Sequence, residues 1–239
     1  MLERLRGRER RQGLQGLESL QGFLSLKSPE KSIAVHPWPA SRALLAASVG
    51  YGSGVLVPAG SGAATDLLVI SVVTPDSTLR EAARAQMRDA LREVLSLQLG
   101  CAPESVVLKS IPGQPLRVEQ PVHGQNVGLS ISHEAGLSVA ALRRNGPVGV
   151  DILRIAPDLD WQAVARDYLG PQAVCRIAGQ PEPEQPLAFA REWTRFEASL
   201  KCLGLALQEW NPALTERLES CRLMEIHLLT GLCGAVAWR

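Results

Sequence analysis

The run PVGVDILRI, residues 147–155, carries a carboxylate inside a stretch patterned as a buried strand. Val148, Val150 and Ile152 fall on one face of such a strand, and Gly149, Asp151 and Leu153 on the other. An ionised aspartate among apolar neighbours is costly unless it is paired, hydrogen-bonded or bound to a cation. Asp151 is therefore read either as an acid satisfied by backbone hydrogen bonds or as a metal ligand. Two other stretches carry complementary chemistry. SISHEAGLSVAAL holds Ser132, His133 and Glu134, and WTRFEASLKCLG holds Glu197 and Lys201 one helical turn apart. Each has an ordinary reading alone: a histidine at a strand end often serves its turn, and a Glu–Lys pair at i,i+4 is worth only about 0.3–0.5 kcal/mol.

The elements that must position these groups follow from periodicity. DLLVISVV, 66–73, reads as a strand, and PDSTLREAARAQMRDALREVLSLQLG, 75–100, reads as a helical segment with Ala83, Met87, Leu91, Val94 and Leu95 on its buried stripe. Thr78 with Glu81 suggests a capping box, and Gly100 a stop. Arg80, Arg84, Arg88 and Arg92 recur every fourth residue and share one face, which alone would be a solvated face partly paired with Glu81 and Asp89. ESVVLKSI and QNVGLSIS read as strands. GLSVAALRR is expected to pair with PVGVDIL through Asn145-Gly146, a strong hairpin signal. DWQAVARDYLG reads as a helix ending at Gly170. A second long helix follows, with Phe189, Trp193, Phe196, Leu200 and Leu203 on its apolar face, and RLMEIHLL and LCGAVAWR close the chain as strands.

These elements predict an α+β protein of two similar lobes, each a small antiparallel sheet packed on a long helix. The expected divisions are an extension at 1–35, possessing one short amphipathic stretch and partly disordered, a first lobe at 36–146 and a second at 147–239. A chain of 239 residues can bury a substantial core, and a formal charge of +1 argues against a broad nucleic-acid surface. No apolar run reaches the length that crosses a bilayer, and the arginine-rich N-terminus lacks the apolar core of a secretory signal. Five scattered cysteines with no CxxC spacing fit a reducing compartment. A cytoplasmic protein that binds neither nucleic acid nor membrane is the expectation, with a monomer as the default.

Taken in order, Ser132-His133, Gly149-Val150-Asp151 and Trp193 through Glu197-Ala198 to Lys201 resemble the motifs of the 4′-phosphopantetheinyl transferase superfamily, in its longer, two-lobed Sfp-type form. The resemblance runs from about Arg80 to the C-terminus. It implies a two-lobed pseudo-dimeric fold and transfer of the phosphopantetheine arm of coenzyme A to a serine of an apo acyl or peptidyl carrier protein, with release of adenosine 3′,5′-bisphosphate. It further implies Mg²⁺ held by Asp151 and Glu197. Ser132 and His133 would meet the 3′-phosphate end of coenzyme A, Lys201 the pyrophosphate, and Arg84, with Arg80 beside it, the nucleotide. Asp151, Glu197 and Lys201 would form the catalytic set, Glu197 or a cation-held water taking the serine proton. That chemistry suits the residues, because a hard divalent cation prefers carboxylate and phosphate oxygens.

Three positions depart from the family pattern: Leu153 where a second strand acid is frequent, Phe196 where a lysine often precedes the helix glutamate, and Gln114 within Gly113-Gln114-Pro115. Glu134, next to His133, is expected to supply the third cation ligand in place of Leu153. The departures also leave room for a coenzyme A binder without transfer activity, or for an interaction module on the same scaffold.

Overall fold

Strands β3 (Leu67–Val73) and β7 (Leu137–Arg143) are buried on both faces, which explains why LLVISVV and LSVAALR lack the polar alternation of a half-exposed strand. In the computed structural model, described for residues 67–111, 116–119, 127–228 and 230–239 and for the backbone of 32–33 and 36–37, they form the middle of a four-stranded sheet. Its order is β2–β3–β7–β6, with β2 at His36–Pro37 and β6 at Gly128–Glu134. A second sheet has the order β1–β9–β10–β8, built from Ser32–Ile33, Arg222–Ile226, Leu232–Trp238 and Val148–Arg154. Pairing is antiparallel except at β1/β9 and β2/β3, which are parallel. β4 (Leu108–Lys109) and β5 (Arg117–Val118) make a separate short ribbon.

Helix α1 (Arg80–Leu99) lies on the first sheet, where Met87, Leu91, Val94 and Leu95 pack on Leu68, Ile70 and Leu142. The opposite faces of the two sheets meet: Leu67, Val69 and Val139 from the first share a core with Val148, Val150, Ile152, Val236 and Trp238 from the second. Four further helices are described after β8. They are α2 (Trp161–Val164), which continues as a π-helical turn over Ala165–Leu169, α3 (Pro171–Ala178), α4 (Gln185–Cys202) and α5 (Pro212–Glu219). Helix α4 covers the outer face of the second sheet, with Ala198 and Cys202 against Ala235 and Ala237. Its aromatic stripe turns away from the sheet, and Trp193 touches Tyr168, Phe189 and Phe196 at ring-centre distances of 5.8–5.9 Å.

Glycine at 149 sets how deeply α4 can sit. A Cβ there would fall 1.9 Å from the carbonyl oxygen of Ala198 and 2.5 Å from the amide nitrogen of Cys202, so only a residue with no side chain admits the helix.

Two local expectations are corrected. The Asn145-Gly146 hairpin does not form: both edges of β7 are taken by β3 and β6, and β8 pairs with β10 in the other sheet. The hairpin lies one strand earlier, where Ala135-Gly136 joins Glu134 to its partner Leu137 and Gly136 takes the left-handed φ of 82° that such a turn requires. The Thr78–Glu81 capping box is also absent. The Thr78 amide donates to Pro75 O in a turn at 2.8 Å, Leu79 is the N-cap, and the helix starts too late for the reciprocal bonds. At the other end Gly100 stops α1 with φ 66°, as expected. ESVVLKSI contributes only the two residues of β4, and α3 and α5 were not anticipated.

The amphipathic stretch and most of the expected extension at 1–35 lie outside the described residues, as does Gln114 with its neighbours. Among the described residues no helix is long and apolar enough to cross a membrane.

Candidate functional site

β6 and β8 run side by side at the border of the two sheets without a backbone ladder between them. Two serine hydroxyls take its place: Ser130 Oγ accepts from Val150 N at 3.0 Å and Ser132 Oγ from Ile152 N at 3.3 Å. On the α4 side of this seam lies Asp151, 5% exposed. Its Oδ1 accepts from Ser132 Oγ at 2.8 Å and from Lys201 Nζ at 2.7 Å, two short charge-assisted contacts that meet the requirement for burying a carboxylate.

Glu197 and Lys201 occupy successive turns of α4. The Lys201 ammonium also donates to Val150 O at 3.0 Å and lies 4.0 Å from Glu197 Oε2, so the two acids, one from a strand and one from a helix, converge on a single nitrogen. Burial pushes the Glu197 carboxyl up to about 7, the charge on Asp151 adds to the rise, and Lys201 and a hydrogen bond from the Trp193 side chain oppose it. A half-buried acid poised near neutrality beside a second carboxylate is a natural proton acceptor.

His133 sits on the opposite face of β6, with Nδ1 2.7 Å from the hydroxyl of the fully buried Ser138. Its imidazole is pushed down to about 4, first by burial and then by the positive charges of Arg84, Arg80 and Lys201. The first two residues of the arginine row therefore act on the β6 end, while Arg92 pairs with Asp89 at 2.6 Å, the i,i+3 contact expected for a solvated face. Three cations, Arg84, Arg80 and Lys201, thus act on the His133 imidazole and favour its neutral form.

Two of the three departures from the family pattern, Leu153 and Phe196, have structural explanations. Leu153 is buried on the same strand face as Asp151 and pairs with Cys233 of β10, so an apolar neighbour replaces an acid. Phe196 points into a cluster with Leu200 and Leu214 and helps to fix α4 rather than reach the site. Among the described residues no three acidic, histidine or cysteine side chains gather closely enough to hold an ion, so Glu134 does not join Asp151 and Glu197 in a three-ligand cluster. Glu134 ends β6 opposite Leu137, beyond Ser132 along the strand.

Two carboxylates that share one lysine still fit a hard divalent cation, because Mg²⁺ is commonly held by one or two protein carboxylates and completed by phosphate oxygens and water. Their mutual repulsion, visible in the raised Glu197 pKa, is what such an ion relieves.

The site thus defines a class: an α+β scaffold in which a strand acid and a helix acid share one lysine close to a cation-flanked histidine. Comparison with known proteins names a family. Residues 147–228, which include Asp151, Glu197 and Lys201, match the model of the 4′-phosphopantetheinyl transferase superfamily. The chain is 28% identical over 119 residues to the Synechocystis sp. protein slr0495, whose name assigns it to the 4′-phosphopantetheinyl transferases, covering 49% of this chain and 48% of that protein. It is 26% identical over 132 residues to the 4′-phosphopantetheinyl transferase HetI of Nostoc sp., covering 54% and 55%. The matched portions are about half the length of these curated relatives.

Proposed function

We propose that the chain is a Mg²⁺-dependent 4′-phosphopantetheinyl transferase that moves the phosphopantetheine arm of coenzyme A to a serine of an apo acyl or peptidyl carrier protein. The convergence of Asp151 and Glu197 on the Lys201 ammonium is the observation that carries this reading, and the charges of Arg84, Arg80 and Lys201 acting on His133 add to it. The family match and the names of the two relatives support it.

Arg80, Arg84 and His133 bind the phosphate-rich nucleotide end, and Lys201 supplies positive charge toward the pyrophosphate while orienting Asp151. Glu197 takes the proton of the carrier serine. The serine oxygen bonds to the phosphorus bearing the pantetheine arm, the bond from that phosphorus to the bridging oxygen breaks, and adenosine 3′,5′-bisphosphate leaves. A bound Mg²⁺ would be held by Asp151 and Glu197 and would supply charge neutralisation at the pyrophosphate. The first sheet with α1 falls within a lobe at 36–146 and the second with α4 within a lobe at 147–239, except for the edge strand β1 (Ser32–Ile33), which joins the second sheet from the expected extension. Support for that division comes from the change of sheet between Arg143 and Val148.

Incubation of the protein with coenzyme A, Mg²⁺ and an apo carrier should add one phosphopantetheine unit to the carrier, read by intact mass. Asp151→Asn and Glu197→Gln should each lower the rate by about a hundredfold or more, the scale of losing a group that holds or moves charge in the transition state. Coenzyme A binding with no modification of any of several carriers would replace the transferase by a binding protein.

A further inference from the structure

We propose that Ser132 is a positioning residue for the cation-binding carboxylate of Asp151 and does not contact the coenzyme A phosphate; the inference rests on the cation site of the proposed function. A serine hydroxyl has one proton to donate. Here that proton goes to Asp151 Oδ1 at 2.8 Å, and the same oxygen accepts from Ile152 N at 3.3 Å. Ser132 is 6% exposed, so it is enclosed in the seam rather than presented to a ligand. A phosphate oxygen carries no proton to give and needs a donor, and the donor of Ser132 is already committed.

The second donor to Asp151, Lys201 Nζ, takes the same Oδ1. Two donors on Oδ1 restrain rotation of the carboxylate about its Cβ–Cγ bond. Ser132 is held by the β8 backbone, so the orientation of Asp151 is tied to the junction of the two sheets and not only to the flexible stem of a lysine. Groups that orient a metal-binding carboxylate typically contribute about 10- to 100-fold to metal affinity or activity.

Ser130 supplies a built-in control. It makes the equivalent seam contact, accepting from Val150 N at 3.0 Å, and is buried to a similar degree. The test compares wild type, Ser132→Ala, Ser132→Cys, Ser132→Thr and Ser130→Ala by calorimetric titration with Mn²⁺ in the presence of coenzyme A, and by steady-state transfer kinetics.

The expected result for Ser132→Ala, or for Ser132→Cys should the alanine variant not fold, is a loss of about 10-fold or more in Mn²⁺ affinity and in kcat, with KM for coenzyme A within about twofold of wild type. Ser132→Thr, which keeps the hydroxyl, should recover most of both, and Ser130→Ala should leave both within about twofold. A raised KM for coenzyme A with unchanged kcat and cation affinity would place Ser132 on the nucleotide and overturn the proposal. An equal loss in Ser130→Ala would trace the effect to the seam and overturn it too, as would a wild type that binds no Mn²⁺. A wild type that binds Mn²⁺ but transfers nothing would remove the transferase reading alone, because the affinity comparison still decides the role of Ser132.

Discussion

His133 is neutral where a free histidine would be partly charged, and the reason is its company: burial first, then Arg84, Arg80 and Lys201. With its pKa lowered from 6.5 to about 4, the native state binds fewer protons than the unfolded chain between those values. Stability is therefore lost as the pH falls through that window. Glu197 works in the other direction. Its carboxyl is raised from 4.5 to about 7, so the native state holds that proton more tightly and loses the associated stability as the pH rises through the same region. Replacing His133 by glutamine removes only the first effect. Urea midpoints of His133→Gln measured at pH 7, 5.5 and 4.5 should fall less steeply than those of the wild type, and parallel slopes would refute the assignment. A phosphate anion beside the imidazole reverses its electrostatic surroundings, so coenzyme A binding near pH 5 should be accompanied by proton uptake. Calorimetry in buffers of different ionisation enthalpy reads this directly. Residue types and order exposed this site in the sequence, because Asp151, Glu197 and Lys201 stand out against strand and helix periodicity. The partner of each group was not legible: the contact of Ser132 with Asp151 depends on how two strands from different sheets abut.

Helix α4 carries both Glu197 and Lys201, and its distance from the sheet is set by Gly149, Ala198, Ala235 and Ala237 rather than by large side chains. Gly149→Ala drives a methyl group into the helix backbone. The expected cost is about 1–3 kcal/mol of stability or more, with a loss of transfer activity larger than the population of unfolded protein explains, since both charged groups move with the helix. Retained activity with unchanged stability would contradict the packing described. The helices themselves were readable from apolar spacing: α1 buries the stripe Ala83, Met87, Leu91, Val94 and Leu95, and α4 buries Phe189, Trp193, Phe196 and Leu200. Their ends were less so. The Thr78–Glu81 pattern has the right residues for a cap, but the turn from Pro75 uses the Thr78 amide first. The Asn145-Gly146 signal was overridden in the same way, because local turn chemistry cannot act when both edges of the preceding strand are occupied.

At the scale of the molecule, the two sheets hold each other by a common core in which Val69 and Val139 face Val150, Ile152 and Val236. Truncation in that layer should weaken both sheets together. Ile152→Ala is expected to cost about 2–5 kcal/mol, and its unfolding followed by circular dichroism and by tryptophan fluorescence should give superimposable curves. Separate transitions would mean that the sheets are stabilised independently. Which strands pair with which was beyond the sequence, since β8 finds β10 across the whole segment that contains α2 to α5. The serine-lined junction has one more effect, on solubility. β6 and β8 are each the terminal strand of a sheet, the position from which unpaired backbone groups recruit foreign strands into aggregates. By placing two hydroxyls on β8 amides that have no strand partner on that side, the chain turns each sheet into the guard of the other's open rim. A variant that lost them would be threatened by self-association well before its core gave way.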